Sequence, residues 1–341
     1  MKTKLDKYFR ISQRGSTIGT ELIGGATTFA TMAYILAYMT GAMSAVPGID
    51  LTGVLLCTAL ITAISCIAMG LVANAPIALA PVLVIPNLVA GMVARGEATY
   101  GQAFGTVAIS GIVFLLISVF KLRDLFARSL PKNIKIGIGG AVGLLIASIG
   151  LNTSGLAAAG EDGSFINFSD KSVQLGLIGL AIALLLTYLK ITVNGRTYKI
   201  KGALLISIVL TTIIGIPMGV TVLPENIFTR GALASIGNVA FQVDILGALK
   251  LSFVPFIIML LINDFFGTLG TGLAMAGKAG LLDEDGNFPA FGKVFLVDSS
   301  ATILGSLFGI TTVSCFAESA AGVESGSRTG LSNLSTAFFF L

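Results

Sequence analysis

The chain has 341 residues, 55% of them hydrophobic and 11% charged, with a mean hydropathy of +0.94. A soluble domain carries about 25% charged residues, so a soluble globular fold is excluded and an all-α polytopic membrane protein is expected. The net charge of +4 does not signal nucleic acid, because the basic residues fall between apolar runs; the absence of histidine excludes a histidine proton relay, a histidine metal site and a Ser-His triad.

Residues 1–22 are basic and polar and read as a cytoplasmic N-terminal segment without a cleavable secretory signal. Apolar runs long enough to cross a bilayer follow near 23–46, 52–73, 76–94, 103–121, 133–151, 173–191, 202–223, 249–275, 291–309 and 311–323. Glu21 opens the first and reads as an interfacial residue. The third contains Pro76, Pro81 and Pro86. Proline removes a backbone donor, and such breaks survive at membrane depth only when buried or lining a cavity. The tenth is short, rich in Thr, Ser and Gly, and holds Glu318. The two broken spans stand seven apart, as two inverted seven-span halves would place them. After Ser335 the chain enters an eleventh apolar run and stops at Leu341, which reads as a C-terminally incomplete sequence.

The basic residues set the orientation. Clusters at Lys2–Arg14, Lys121–Lys135, Lys190–Lys201 and Lys278–Lys293, and then Arg328, all fall on one side when the runs are counted as spans. That side is expected to be cytoplasmic. The cysteines Cys57, Cys66 and Cys315 have no metal-ligand spacing and read as small packing residues.

Ionisable residues within the spans are the candidates for chemistry, because a carboxylate at membrane depth is expensive and usually marks a pathway. Glu318 coincides with a helix break. Its oxygens can accept hydrogen bonds from the ring N–H groups of a planar heterocycle. Burial disfavours a charged carboxyl, so one group can link proton and substrate binding. Phe316 offers an aromatic face for stacking. Asp264 lies in span eight. Asp298, beside Ser299 and Ser300 in span nine, reads as structural. Gly267-Thr268-Leu269-Gly270-Thr271-Gly272 lacks the lysine of a phosphate loop and reads as a helix-packing stripe. Asp283-Glu284-Asp285-Gly286 does not match a calcium loop and reads as a solvated turn. No histidine, metal-ligand cluster or paired aspartates on spaced helices points to an enzyme.

Several stretches carry a resemblance. Phe316-Ala317-Glu318-Ser319-Ala320-Ala321-Gly322-Val323 with Gly326-Ser327-Arg328-Thr329-Gly330-Leu331, Thr27-Thr28-Phe29-Ala30-Thr31-Met32-Ala33-Tyr34-Ile35, Ala75-Pro76-Ile77-Ala78-Leu79-Ala80-Pro81 and Ala279-Gly280-Leu281-Leu282-Asp283-Glu284-Asp285-Gly286 occur in order along the chain. Together they resemble the nucleobase:cation symporter-2 family, in its AzgA-like hypoxanthine/guanine/adenine permease branch. The resemblance implies a fourteen-span transporter with an inverted seven-span repeat, a core domain and a gate domain. The core would comprise 23–130 and 249–341, and the first half of the gate 131–223. Short strands in spans three and ten would meet near the membrane centre, here near Leu83-Val84-Ile85 and Cys315-Phe316-Ala317, with the base bound between them.

The resemblance further implies substrate contacts from Glu318, Phe316, Ala317, Gly267, Thr268 and Asn87, and proton coupling through Glu318 and Asp264. Gly267 stands where the family usually has a second carboxylate. Asp264, three residues earlier, lies on the same helix face one turn away. Asn87 is one place late and follows a proline that the family lacks. The expected protein is a plasma-membrane or inner-membrane purine nucleobase:proton symporter with no cofactor. Its expected partners are the base, a proton, membrane lipid and a second copy as a candidate homodimer. Two rival readings are the same fold carrying another small base or anion, and a non-transporting membrane scaffold or fragment.

Overall fold

The computed structural model describes residues 4–120, 144, 147–148, 150–151, 154–156, 167–193, 196–199, 203–221 and 232–341. The chain divides into two compact units, Met1–Ile138 with Arg230–Leu341, and Gly139–Thr229. The five basic residues expected in the loop after span four, and most of span five, lie outside the described residues.

In the first unit, a short helix α1 (Lys4–Phe9) precedes α2 (Ile18–Met32). The Thr17 hydroxyl caps α2 by accepting the Thr20 N–H at 3.2 Å, satisfying one of the free donors at a helix start. Helix α3 (Tyr34–Met43) continues it, so span one runs from Ile18 to Met43. Helix α4 (Leu51–Ala68) starts at the Asp50 cap and ends in a π-helical turn, Met69–Ala73. Asn74 stops that turn in the left-handed region at φ 47°, a conformation that asparagine tolerates better than most residues. Strand β1 (Leu79–Pro81) and helix α5 (Val84–Ala94) complete span three. Helix α6 (Tyr100–Val119) follows, opened by a capping box of Thr99 and Gln102.

The second unit contains α7 (Lys171–Tyr188), an antiparallel hairpin of β2 (Lys190–Val193) and β3 (Arg196–Lys199), and α8 (Ala203–Met218). The loop expected after span six is therefore a hairpin. Helices α7 and α8 pack closely: a Cβ on Gly179 would sit 3.0 Å from the Thr211 side chain.

The chain returns to the first unit through a one-turn helix, α9 (Ile245–Ala248). Helices α10 (Val254–Lys278) and α11 (Phe291–Leu307) then form spans eight and nine. Span ten is strand β4 (Val313–Cys315) followed by the short helix α12 (Ser319–Glu324), and α13 (Leu331–Phe340) begins span eleven. Phe114 of α6, Phe265 of α10 and Phe295 of α11 meet edge to face with centroids 5.3–5.8 Å apart, and Phe291 adds a further edge on Phe295. Such pairs add to the dispersion that holds membrane helices together. Among the described residues, five helices are long and apolar enough to cross a membrane.

The strands fall earlier than expected. Leu79 pairs with Cys315, Ala80 with Ser314 and Pro81 with Val313. Leu83 to Ile85 are not a strand: they lead into α5, where Pro86 sits in the first turn and needs no amide hydrogen. On the other side Phe316 and Ala317 have already left β4. Two further bonds extend the pairing, Val82 N–H to Thr312 O at 2.9 Å and Phe316 N–H to Ala78 O at 2.8 Å.

The unwound backbone around the strands is matched with side chains. The Asn333 amide donates to Ala75 O at 3.0 Å and Ile77 O at 2.7 Å. The Ser319 hydroxyl accepts the Ala78 N–H at 2.9 Å and donates to Phe316 O at 2.7 Å. Asn74 Oδ1 accepts the Gly330 N–H at 2.8 Å while its amide donates to Phe9 O. An unpaired backbone group in this setting would cost several kcal/mol, on the order of the cost in hydrocarbon.

Glu21 is not interfacial. It is fully buried, and its two oxygens accept the Arg328 N–H at 2.8 Å and the Thr329 N–H at 3.2 Å. Arg14 completes this joint by donating to Asn74 O and Arg328 O. Glu21 was misplaced because it opens an apolar run; its partners lie over three hundred positions away and cannot be seen in the local pattern.

Backbones approach closely where glycine meets glycine. A Cβ on Gly330 would lie 2.1 Å from Gly70 O and 2.7 Å from Gly70 Cα, whereas one on Gly41 meets nothing within 4 Å. Gly330→Ala is expected to destabilise the detergent-solubilised protein by about 1–3 kcal/mol, the usual range for overpacking. Gly41→Ala is expected to leave the thermal unfolding midpoint unchanged or slightly raised. Equal midpoints for the two variants would contradict this packing.

Candidate functional site

Glu318 stands where β4 has ended and α12 is about to begin, half-buried. Its Oε1 accepts the Tyr34 hydroxyl at 2.6 Å. Tyr34 is the first residue of α3, so a slight break in span one aims a phenol at a break in span ten. The Tyr34 and Phe316 rings lie 6.4 Å apart at 39°. The Thr31 hydroxyl reaches Glu318 O at 3.4 Å while bonding back into its own helix. Glu318, Phe316 and Ala317 are thus brought together, and Tyr34 joins them. Tyr34 is not among the expected site residues, although it lies within the stretch Thr27–Ile35; two phenols one turn apart in an apolar run, Tyr34 and Tyr38, are the signal that marks this face.

Asn87 is exposed on α5, and its amide donates to the Tyr38 hydroxyl at 2.7 Å. Tyr38 in turn donates to Leu83 O at 2.6 Å. Tyr34 and Tyr38 are one helical turn apart, so one face of α3 serves both broken spans: Tyr34 holds the carboxyl of span ten, and Tyr38 holds the backbone of span three.

Helix α10 contributes differently from expectation. Gly267 is exposed, and a Cβ there would meet only Ser314 Oγ, at 3.8 Å. Asp264 does not share that exposure. It is 1% exposed, and its Oδ2 lies 2.9 Å from the Thr302 hydroxyl of α11. Three residues turn a helix by less than a full revolution, which is enough here to bury Asp264 against Thr302 of α11 while Gly267 stays exposed. The Thr268 hydroxyl is fully buried. It donates to Asp298 Oδ2 at 2.6 Å and takes the Ser314 hydroxyl at 2.7 Å.

Asp298 is likewise fully buried. The neighbouring serines do not hold it: Ser299 and Ser300 bond back to the carbonyls of Phe295 and Leu296. Its side chain instead lies within hydrogen-bonding reach of Asp264. The expectation that no aspartates pair across spaced helices is therefore overturned. The helix register of α10 and α11 decides this, and two acids 34 positions apart give no sign of it in the sequence.

The small-residue reading of Gly267–Gly272 holds at Gly272, where a Cβ would lie 2.7 Å from the Phe291 ring. Asp283 to Gly286 form a turn in which the Asp283 carboxylate takes the Asn287 N–H. Cys57, Cys66 and Cys315 are buried free thiols.

Comparison with known proteins agrees with this architecture. The Xan_ur_permease model, described as a permease family, matches residues 19–335. The adenine permease AdeP of Escherichia coli is 32% identical over 343 residues, covering 99% of this chain and 74% of that protein. The guanine/hypoxanthine permease GhxP of Escherichia coli O157:H7 is 31% identical over 344 residues, covering 99% and 74%. Among solved structures, the transmembrane domain of the cyanobacterium bicarbonate transporter BicA superposes with a TM-score of 0.56 at 19% identity, covering 94% of this chain and 80% of that one. The shared fold is the inverted-repeat transporter fold, carried here by a mostly helical chain with two short strands crossing in spans three and ten.

Proposed function

The chain belongs to the Xan_ur_permease family, the nucleobase:cation symporter-2 family of multi-pass membrane permeases, and from that premise we propose that it carries a purine nucleobase by proton symport. The observation that carries the reading is the Glu318–Tyr34 pair at the end of β4. A purine offers ring N–H groups on one edge and a flat face. Glu318 Oε1 is already held by Tyr34, and no described side chain bonds Oε2. That oxygen accepts a ring N–H of the base. The Phe316 and Tyr34 rings supply the face for stacking. Ala317, without a bulky side chain, lets the ring approach the end of the strand.

The exposed Gly267 leaves room for the ring on the side of α10. Thr268 serves the site through Ser314 rather than by touching the base, since its hydroxyl is fully committed. Asn87 and Tyr38 form the rim on the side of span three. In this reading residues 23–130 and 249–341 belong to the core domain and 131–223 to the first half of the gate, a division supported by the two compact units Met1–Ile138 with Arg230–Leu341 and Gly139–Thr229. The N-terminus is cytoplasmic and the membrane is the plasma or inner membrane, in keeping with the clustered basic loops. The names of the relatives AdeP and GhxP support adenine, guanine or hypoxanthine as the substrate class.

Uptake of radiolabelled adenine, guanine and hypoxanthine into permease-deficient cells tests the proposal. The wild-type chain is expected to raise uptake of at least one of them. Glu318→Gln is expected to abolish it, and Tyr34→Phe to weaken apparent affinity roughly 10-fold or more, the loss of one hydrogen bond to a charged group. Uptake unchanged in Glu318→Gln would remove the carboxyl from its role.

A further inference from the structure

Between α10 and α11 the two buried aspartates form an arrangement that the substrate site does not use. Each carboxyl has one oxygen bonded and one bare: Asp264 Oδ1 and Asp298 Oδ1 are buried with no hydrogen-bond partner. The side chains nevertheless lie within hydrogen-bonding reach of each other. The Ser314 hydroxyl and the Cys315 N–H lie near Asp264 and Asp298 respectively, but neither is bonded to a bare oxygen, and two buried charges without a cation are among the most expensive arrangements in a protein. Among the described residues, the titratable groups facing the pair are each other, across α10 and α11, and the Cys315 thiol on β4. None of these is a cation.

Thr302 gives a second indication. A hydroxyl carries one proton, yet Thr302 Oγ1 lies 2.9 Å from both Asp264 Oδ2 and Val313 O, and it also accepts the Val313 N–H at 3.2 Å. A proton on Asp264 supplies the donor that this count lacks.

We propose that Asp264 and Asp298 share a proton, and that this acid pair, rather than Glu318, holds the coupling proton of the transport cycle. The coupling role rests on the purine:proton reading above; the shared proton does not. Both acids are tied to the strand that ends at the substrate site. Asp298 reaches Ser314 through Thr268, and Asp264 reaches Val313 through Thr302. When the proton leaves, one of these links must lose or exchange a hydrogen bond, and β4 carries the change to Phe316 and Glu318. Proton and base are thus joined through one strand.

Infrared spectroscopy of the purified chain at neutral pH tests the shared proton. The wild type should show the C=O stretch of a protonated carboxyl that shifts in deuterated water. Asp264→Asn and Asp298→Asn should each remove it, and Glu318→Gln should retain it. Thr268→Val keeps both acids and should move the band, which preserves the test if an asparagine variant fails to fold. Proton uptake on adding hypoxanthine or adenine in weak buffer tests the coupling: it should accompany binding in the wild type and vanish in Asp298→Asn. A band that survives both aspartate substitutions, or that only Glu318→Gln removes, overturns the proposal. A wild type with no such band that responds to sodium in place of choline also overturns it, making the pair a sodium site. A band assigned to the pair in a protein that binds no base supports the shared proton and removes the purine reading. Base binding with the same proton uptake in Asp298→Asn keeps the purine reading and removes the coupling role.

Discussion

Two spans lose their helical hydrogen bonds at the same place, and everything else in the first unit follows from how those bonds are replaced. Helix is the default inside a membrane because it satisfies its own backbone. Spans three and ten give that up over a few residues, and the only large supply of matching donors and acceptors is the other broken span. Hence β1 and β4 pair with each other. Asn333, Asn74 and Ser319 take up the groups that the short ladder leaves over. These polar side chains come from spans two, ten and eleven, so the crossing fixes the positions of several helices at once.

Strand β4 joins two settings of opposite character. At the end of β4, Glu318 is half-buried beside aromatic rings and an exposed glycine. Between α10 and α11, Asp264 and Asp298 are sealed with threonine hydroxyls. One acid is left partly open, and two are closed off. The strand links them through the Thr268–Ser314 and Thr302–Val313 hydrogen bonds. In the proposed cycle the link between them is short, because Ser314 and Glu318 are four residues apart.

Much of this was legible in the sequence. Span lengths, the alternation of basic loops and the three prolines located the broken spans, and the apolar surroundings of Glu318 singled it out. The strand positions were missed by two to four residues because proline was read as the centre of the break in span three. Pro86 instead sits in the first turn of a helix, where it is harmless. Tyr34, Glu21 and the Asp264–Asp298 pair were hidden for a different reason. Each acts on a residue far away in the chain, and no local periodicity carries that information. The helix–hairpin–helix part of the second unit shows the same limit, since Lys190 to Lys199 read as a basic loop and is a two-stranded hairpin.

The central claim is that the base sits at the end of β4 against Ala317 and Glu318, and thiol protection tests it directly. The native cysteines are all buried, so a cysteine placed at Ala317 can be alkylated with little background. Saturating adenine, guanine or hypoxanthine is expected to slow the labelling of Ala317→Cys several-fold, with no effect on a cysteine placed at the exposed Leu116. Labelling of Ala317→Cys that is indifferent to a base the protein demonstrably binds would contradict the account and place the substrate elsewhere.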